Sequence, residues 1–505
     1  MLSGLLSGIA IYSISWWLGW ICYVPVFYLL LRYRTGPVKG MLAGAVTGAV
    51  QAVVMNGWVF PVVAGYTGQA LFPGIFIWFF LLLFNAGKFM AVFGLTAIIF
   101  KWYEGPGKWQ WVKVPLAASV FVAVEALIGS LRGFPWIYSF WGYTQTTNIW
   151  FLQLAELGGA GIISWFLVII NISLASFLAF KKRSTLIPAL SLLILIHVYG
   201  YVRIQMLDRE SGGSVKLAMV CDNSPPGMRW NESELNRYVH RLFELNRLAL
   251  RTQPDIIVWN ESVIPWTYRE DDDFLLYILE QGRGYGASHL ISYYSEGVSG
   301  KDYPAVSAYL IYPDGRVAGR YDKSELLAGV ERPLFPSVRQ GFMQLPFALD
   351  NTLADHAENP LPEPLASRHG SIGVMICNEA SRDAVAGKLA GQGVDFMVLM
   401  SNNAWFDNSA LVRLHFFFTR MRAVENRTAI VINSNLGISG LIDQSGRILH
   451  YYEAVQPRVL EAEIPKTRGS KNYLNRRSVF YIIVYGMLLT GLFAPAYRRL
   501  NPRRA

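Results

Sequence analysis

Apolar and polar positions divide the chain into regions with different solvents. Residues 1–205 are almost continuously apolar, whereas residues 206–475 mix apolar runs with charged stretches, as a globular domain does. Residues 476–505 contain an apolar stretch at 478–496 and end in basic residues. The pattern therefore predicts a transmembrane helix bundle, then an α/β domain, then a final transmembrane helix with a basic tail.

Eight apolar segments are candidates for membrane spans, about seven of them before the α/β domain. A spanning helix needs about 20 apolar residues, and by this rule the first segment is short and weak. The candidate segments are 2–13, 15–32, 38–60, 72–100, 112–130, 158–180, 185–204 and 478–496.

Lysine and arginine in the short loops predict the orientation of the chain. Basic residues recur near 32–39, 101–113 and 181–183 and after 498, and the loops that alternate with these hold almost none. The positive-inside rule places the basic loops in the cytoplasm. The α/β domain is then expected on the opposite side, in the periplasm or at the cell exterior.

The composition is typical of a membrane protein and indicates which kinds of partner to expect. The chain has 505 residues, 53% of them hydrophobic, and a formal net charge of +10. Because the basic residues cluster beside apolar segments, they indicate a membrane and not a nucleic acid as the partner. Cys22, Cys221 and Cys377 are too few and too scattered for a disulfide framework or a zinc site, so we expect no metal and no cofactor.

Some residues of the first region are not typical of a lipid-facing helix. Lys88 and Glu125 lie within apolar segments, where an unpaired charge is costly. Three interpretations are open: they pair inside the bundle, they line a lipid path, or they reach outward to the interface. Trp141 and Tyr143, in a loop between spans, are typical of aromatic anchors at the membrane surface.

Short β-rich runs recur through the second region and are separated by helical patterns. Alternation of this kind predicts an α/β domain with a buried sheet. The runs are 215–221, 255–260, 289–294, 306–312, 371–377, 395–402 and 428–434.

Three polar side chains, Glu261, Lys323 and Cys377, follow the ends of β-runs, where α/β sheets present their chemistry. A cysteine at a strand-to-helix turn lies near backbone N–H groups and a positive helix end, which favour the thiolate. Glu261 can take its proton, while Lys323 and the N–H of Asn378 can stabilise the oxyanion of a tetrahedral intermediate. The set predicts nucleophilic catalysis.

Taken one at a time, these residues have ordinary structural explanations. A buried cysteine usually packs as a small apolar side chain, and a lysine or glutamate in a loop is usually solvated. Their joint occurrence at three strand ends favours catalysis. Cys221 also ends a β-run, but the following DNSPPGMRW offers no helix start close behind, so we interpret Cys221 as structural.

At these residues the chain resembles the nitrilase superfamily, and over nearly its full length it resembles the apolipoprotein N-acyltransferase family. The resemblance implies a polytopic α-helical membrane bundle plus an α/β nitrilase-like domain, an α-β-β-α sandwich. The matching features are GFPW at 133–136, MRW at 228–230, WNES around Glu261, Glu331 after Lys323, ICNE around Cys377, SNNAWF at 401–406, and His415 before RMRAVENR at 420–427.

The resemblance implies a ping-pong acyl transfer. Cys377 would attack an ester of a phospholipid acyl donor and form a thioester, and the α-amino group of a diacylglyceryl-cysteine on a lipoprotein would accept the chain. Glu261 would protonate the departing alkoxide and later deprotonate the incoming ammonium. It also implies a monomer in the bacterial inner (cytoplasmic) membrane, multi-pass, with its catalytic domain on the periplasmic side.

Further residues take supporting roles by resemblance. Glu331 would orient Lys323 or the arm around it, and Glu379 would support the turn at Cys377. Trp230 and Trp266 either line the acyl pocket or pack in the core, and Trp405 is more typical of a core residue. The candidate substrate contacts are Trp230, Trp266, Trp405 and His415.

The chain departs from the residues that the family usually has at several positions, which are Asn260, Asn378, Ala328, Gly329 and Val330. Because Asn378 and 328–330 flank the expected substrate entrance, the identity of the acceptor stays open. The alternatives are a membrane-anchored amidase, an N-acyltransferase with a different amine acceptor, and a lipid or lipoprotein binding protein without activity. Residues 340–370 are interpreted as a surface insertion.

Overall fold

The protein is described from a computed structural model, in two compact units. The first unit holds the described residues of 1–205 and 475–500, and the second holds those of 206–474. The described residues are 1–60, 62, 72–104, 112–130, 140–208, 212–225, 231–295, 305–326, 362–406, 409–453, 455–467, 469 and 472–500.

The first unit is helical, and helices cover each apolar segment predicted from the sequence. Its helices are α1 (Leu2–Tyr12), α2 (Trp16–Gly19), α3 (Val24–Arg32), α4 (Pro37–Met55), α5 (Phe72–Trp102), α6 (Lys113–Gly129), a 3₁₀ helix (Trp141–Thr147), α7 (Ile149–Leu152), α8 (Ala155–Phe180), a 3₁₀ helix (Arg183–Thr185) and α9 (Ile187–Leu207). The last helix of the chain, Tyr473–Leu500, is α14.

Within the described residues, four helices are long and apolar enough to cross a membrane, over Pro37–Met55, Gly74–Trp102, Ala155–Phe180 and Arg183–Leu207. The segment predicted at 15–32 is divided between α2 and α3. Large apolar side chains such as Leu83, Leu190 and Ile194 are exposed on this unit, as expected for surfaces solvated by lipid.

The charged and aromatic residues that the sequence analysis singled out in this unit, Lys88, Glu125, Trp141 and Tyr143, lie in its interior. Lys88 Nζ is 3.9 Å from Glu125 Oε1, and the two side chains are only 8% and 1% exposed, so the pairing interpretation is confirmed. The same carboxylate oxygen accepts the N–H of Trp141 at 2.6 Å. Trp141 and Tyr143 are buried, so the prediction of interfacial anchors was wrong for them. Glu125 holds their 3₁₀ helix inside the bundle.

The described residues of the second unit form two six-stranded sheets, and helices connect several of the strands along the chain. The first sheet has the order β12-β1-β2-β3-β4-β5, and the second has the order β11-β10-β9-β8-β7-β6. The strands are β1 (Ser214–Cys221), β2 (Ile256–Trp259), β3 (Ser288–Ser295), β4 (Ala305–Ile311), β5 (Val317–Asp322), β6 (Leu365–Ser367), β7 (Gly370–Ile376), β8 (Phe396–Asn402), β9 (Ile430–Asn435), β10 (Ile438–Ile442), β11 (Ile448–Glu453) and β12 (Arg458–Pro465). The helices are α10 (Glu232–Arg251), α11 (Asp273–Gln281), α12 (Asp383–Gly391) and α13 (Ala410–Asn426).

Central strands such as β2, β8 and β9 bury both of their faces, which explains their continuous apolar sequences. In β1, Leu217 and Met219 join the core between the two sheets, whereas Ala218 and Val220 pack towards α10 and α11. On the second sheet, Met375 packs in the same way towards α12 and α13. Successive side chains point to opposite faces of a strand, so four layers result. The predicted α-β-β-α sandwich is confirmed.

A buried asparagine joins the two sheets near the carboxyl ends of their central strands. Asn433, in β9, donates its side-chain amide to the carbonyl oxygens of Val220 at 3.1 Å and Val258 at 2.8 Å. Its own Oδ1 accepts the thiol of Cys221 at 3.2 Å. Burial raises the pKa of Cys221 to about 12, so the thiol stays protonated. These contacts agree with a structural role for Cys221.

Replacing Asn433 with leucine is expected to destabilise the second unit. The change removes one donor from two buried carbonyl groups, at about 1–3 kcal/mol for each group left unsatisfied. The unfolding temperature of the purified protein should fall by several degrees, measured by thermal unfolding in detergent. Ser233→Ala, at an exposed position, is the control. If Asn433→Leu and Ser233→Ala unfold at the same temperature, the Asn433 side chain does not stabilise the second unit in this way.

Candidate active site

Two of the three candidate catalytic side chains are in direct contact. Lys323, directly after β5, and Glu261, two residues after β2, form an ion pair with Nζ 2.9 Å from Oε1. The two residues are 1% and 6% exposed. The second carboxylate oxygen, Oε2, accepts the backbone N–H of Asn402 at 2.8 Å, at the end of β8. Both oxygens of Glu261 are therefore held at the strand ends.

Cys377 lies at a sharp turn between β7 and a short 3₁₀ helix, Cys377–Ser381. We call residues 376–379 the nucleophile turn. The φ angle of Cys377 is +52°, which is unusual for a residue with a side chain and is typical of functional turns. Cys377 is partly exposed and packs against the core between the sheets. The first N–H groups of the 3₁₀ helix, including that of Asn378, have no partner within the helix.

Glu379 connects the nucleophile turn to the loop that carries Lys323. Its fully buried carboxylate accepts the N–H of Ile376 at 2.7 Å on one oxygen. The other oxygen accepts the N–H and the hydroxyl of Ser324 at 2.7 and 2.6 Å, and the hydroxyl of Tyr321 at 2.8 Å. Burial raises the pKa of Glu379, and these donors oppose that effect. The predicted support of the turn stays a prediction of function, but its contacts are present.

His415 lies behind the nucleophile turn, on α13. Its Nε2 is 2.9 Å from the carbonyl oxygen of Cys377. Burial lowers the pKa of His415, and the charge of Lys323 lowers it further. The side-chain amide of Asn378 donates to the carbonyl oxygen of Glu325 at 3.0 Å, so it faces the loop after Lys323.

The remaining predicted substrate contacts are Trp266, Trp405 and Trp230, and the described residues place only the first of them in detail. Trp266 packs in the outer layer against Phe274, with ring centroids 6.2 Å apart, and donates its indole N–H to Asp272 at 3.2 Å. Trp405 belongs to the 3₁₀ helix Ala404–Phe406. Their substrate roles stay predictions. Trp230, Glu331 and residues 328–330 lie outside the described residues, as does most of 340–370.

Sequence reasoning missed the role of the asparagines beside Glu261. Asn435, in β9, donates its amide to Oδ1 of Asn402 at 3.1 Å and to the carbonyl oxygen of Ser224 at 2.9 Å. Asn402 in turn holds Glu261 through its backbone N–H. The available signal was a pair of polar sequences, SNN at the end of β8 and NSN at the end of β9. Asparagine is unusual in a buried strand unless its amide is bonded.

Known protein families match both units of the chain. Residues 3–173 match the model of the apolipoprotein N-acyltransferase N-terminal domain. Residues 221–471 match the model of carbon-nitrogen hydrolases. The sandwich and its strand-end residues thus define a carbon-nitrogen hydrolase domain, which here follows an apolar helical unit. The chain therefore carries an apolipoprotein N-acyltransferase N-terminal domain followed by a carbon-nitrogen hydrolase domain, and curated apolipoprotein N-acyltransferases are similar to it over most of its length.

Similar proteins match this chain over most of their length. An apolipoprotein N-acyltransferase of Geobacter metallireducens is 27% identical over 92% of this chain and 88% of its own length. One from Pseudomonas syringae pv. tomato is 26% identical over 96% and 95%. Among solved structures, a carbon-nitrogen hydrolase from Helicobacter pylori G27 is 16% identical with a TM-score of 0.37, covering 53% of this chain and 93% of that chain. An amidase from Nesterenkonia sp. is 14% identical with a TM-score of 0.39, covering 54% and 97%.

Glu379→Gln is expected to loosen the nucleophile turn without unfolding the protein. The glutamine amide has one acceptor oxygen instead of two, so its NH₂ group points towards the N–H of Ile376. Two donors then face each other, and an unsatisfied buried donor costs about 1–3 kcal/mol. The unfolding temperature and the rate of Cys377 acylation by an ester should both fall. Glu325→Gln is the matched control, because within the described residues the Glu325 carboxylate makes a long ion pair of 3.9 Å with Arg382. Indistinguishable variants would contradict the role given to Glu379.

Proposed function

We propose that the protein transfers an acyl chain from a phospholipid to the α-amino group of the diacylglyceryl-cysteine of apolipoproteins, through a thioester on Cys377. The observation that carries the proposal is the buried pair of Lys323 and Glu261, with Nζ 2.9 Å from Oε1, in a chain with these two domains. A buried ion pair is costly unless further hydrogen bonds satisfy it. A catalytic role is one reason for a protein to retain such a pair.

In the proposed first half-reaction, Glu261 takes the thiol proton and the Cys377 sulfur attacks the ester carbonyl of the phospholipid. The oxyanion that forms is stabilised by the Lys323 ammonium and the N–H of Asn378. The C–O bond then breaks, and Glu261 returns the proton to the departing alkoxide. The products are a lysophospholipid and an acyl thioester on Cys377.

In the proposed second half-reaction, the α-amino group of the lipoprotein attacks the thioester carbonyl. Glu261 takes a proton from the attacking amine, the C–N bond forms and the C–S bond breaks. The proton then returns to the Cys377 sulfur, which restores the enzyme. Glu261 suits both halves because Lys323 and the Asn402 N–H hold its two oxygens in place.

The proposed setting is the bacterial inner membrane, with the second unit on the periplasmic side and the enzyme acting as a monomer. The alternation of basic and non-basic loops supports this orientation. Both substrates carry long acyl chains, and each buried CH₂ contributes about 0.8 kcal/mol to membrane binding. A helical membrane unit in the same chain lets the enzyme meet these substrates without extracting them into water.

Expression in a bacterial strain depleted of its own N-acyltransferase tests this function. The wild-type chain is expected to restore the third acyl chain at a lipoprotein N-terminus, and Cys377→Ala is expected to abolish it because the nucleophile is lost. Mass spectrometry of the N-terminal lipopeptide measures both. Cys221→Ser, which keeps a donor for Asn433, is the matched control and should remain active.

Continued absence of the third chain despite good expression of the wild-type chain would contradict lipoprotein N-acylation. Labelled phospholipid then separates the alternatives. A thioester on Cys377 that turns over only to water would identify a hydrolase, and one that turns over to another amine would identify a different acceptor. Unchanged function of Cys377→Ala would favour a binding protein.

A further inference from the structure

His415 makes a hydrogen bond whose direction can be assigned. Its ring is buried, at 6% exposure, and Nε2 lies 2.9 Å from the carbonyl oxygen of Cys377. Burial lowers the pKa of His415, so the ring is neutral at neutral pH and carries one N–H. A carbonyl oxygen can only accept. The proton therefore lies on Nε2, and His415 donates it to Cys377.

This carbonyl belongs to the same planar group as the candidate oxyanion donor. The C=O of Cys377 and the N–H of Asn378 are opposite ends of one trans peptide unit, so fixing the direction of one fixes the other. The φ angle of Cys377, +52°, is not one that a residue with a side chain adopts readily. The peptide thus needs a partner outside the turn to hold it.

We propose that His415 is a positioning residue that fixes and polarises the Cys377–Asn378 peptide, so that the Asn378 N–H is presented to the oxyanion. Donation to the carbonyl oxygen withdraws electron density from the peptide and makes the N–H at its other end a stronger donor. His415 acts through this peptide and not on the substrate. The inference rests on the proposed acyl transfer at Cys377 and deepens it.

Two variants separate the hydrogen bond from the packing of the ring. His415→Gln keeps an amide donor at about the position of Nε2, whereas His415→Met has similar length and no donor. Each is purified as the full chain, and its unfolding temperature is measured. His415→Asn, a shorter amide that keeps polarity but not reach, replaces the methionine variant if that variant does not fold.

Two rates are then measured on Cys377, with the modified site assigned by mass spectrometry. Acylation by labelled phospholipid in mixed micelles passes through a tetrahedral oxyanion. Alkylation by iodoacetamide forms a C–S bond and breaks a C–I bond at a saturated carbon, so no oxyanion arises. A residue that only supports the fold or the thiol affects both rates together.

His415→Met is expected to lower acylation about tenfold or more, somewhat less than the roughly 10²- to 10³-fold loss on removing an oxyanion donor itself. Alkylation should stay within about twofold, and His415→Gln should retain most of the acylation rate, since the Asn378 N–H remains held. Equal losses of acylation and alkylation, or equal acylation losses in the glutamine and methionine variants, would overturn the proposal.

If the proposed acyl transfer itself is wrong, the same measurements give a different result. A wild-type chain that is alkylated at Cys377 but takes no acyl chain from phospholipid contradicts phospholipid-dependent transfer. In that case p-nitrophenyl butyrate, which also acylates a thiol through a tetrahedral adduct, is the probe for the same variants. The comparison of acylation with alkylation then tests the role of His415 alone.

Discussion

The buried carboxylate of Glu379 is the constraint on which the arrangement of the site depends. An ionised group in the interior is tolerated only where donors surround it. Here the donors come from Ile376 at the end of the second sheet and from Tyr321 and Ser324 at the end of the first. Satisfying one carboxylate therefore ties the nucleophile turn to the loop that carries Lys323. Neither sheet alone could hold the nucleophile turn beside the loop that carries Lys323.

Asparagine side chains extend the same principle along the edge of the sandwich. Asn433 spans the two sheets, and Asn435 braces the strand end whose backbone N–H holds Glu261. Each amide is buried and would be costly without its partners. A polar network of this kind permits few alternative packings, and it leaves the ends of the central strands well defined. Buried, hydrogen-bonded polar side chains thus line the edge that carries the candidate chemistry.

The helical unit is held by different forces, because lipid gives no hydrophobic drive for helix association. Gly40, Gly44 and Gly48 of α4 face α5 so closely that an added Cβ at Gly44 or Gly48 would collide with backbone oxygens of α5. The spacing of four residues is visible in the sequence as a stripe of small residues. Ion pairs, such as that of the partly buried Arg203 with Glu156 at 3.0 Å, supply polar contacts between helices.

The sequence by itself determined the features that depend on neighbours along the chain. Apolar length predicted the helices, short β-rich runs predicted the sandwich strands, and strand endings selected Glu261, Lys323 and Cys377 as candidates. Only the tertiary structure decided which groups meet, because such contacts join distant segments: 62 residues separate Lys323 from Glu261, and 141 separate Asn402 from Glu261. The periodicity of apolar residues along the chain does not show which of these distant residues pair. The packing of two sheets, and of α13 behind one of them, creates them.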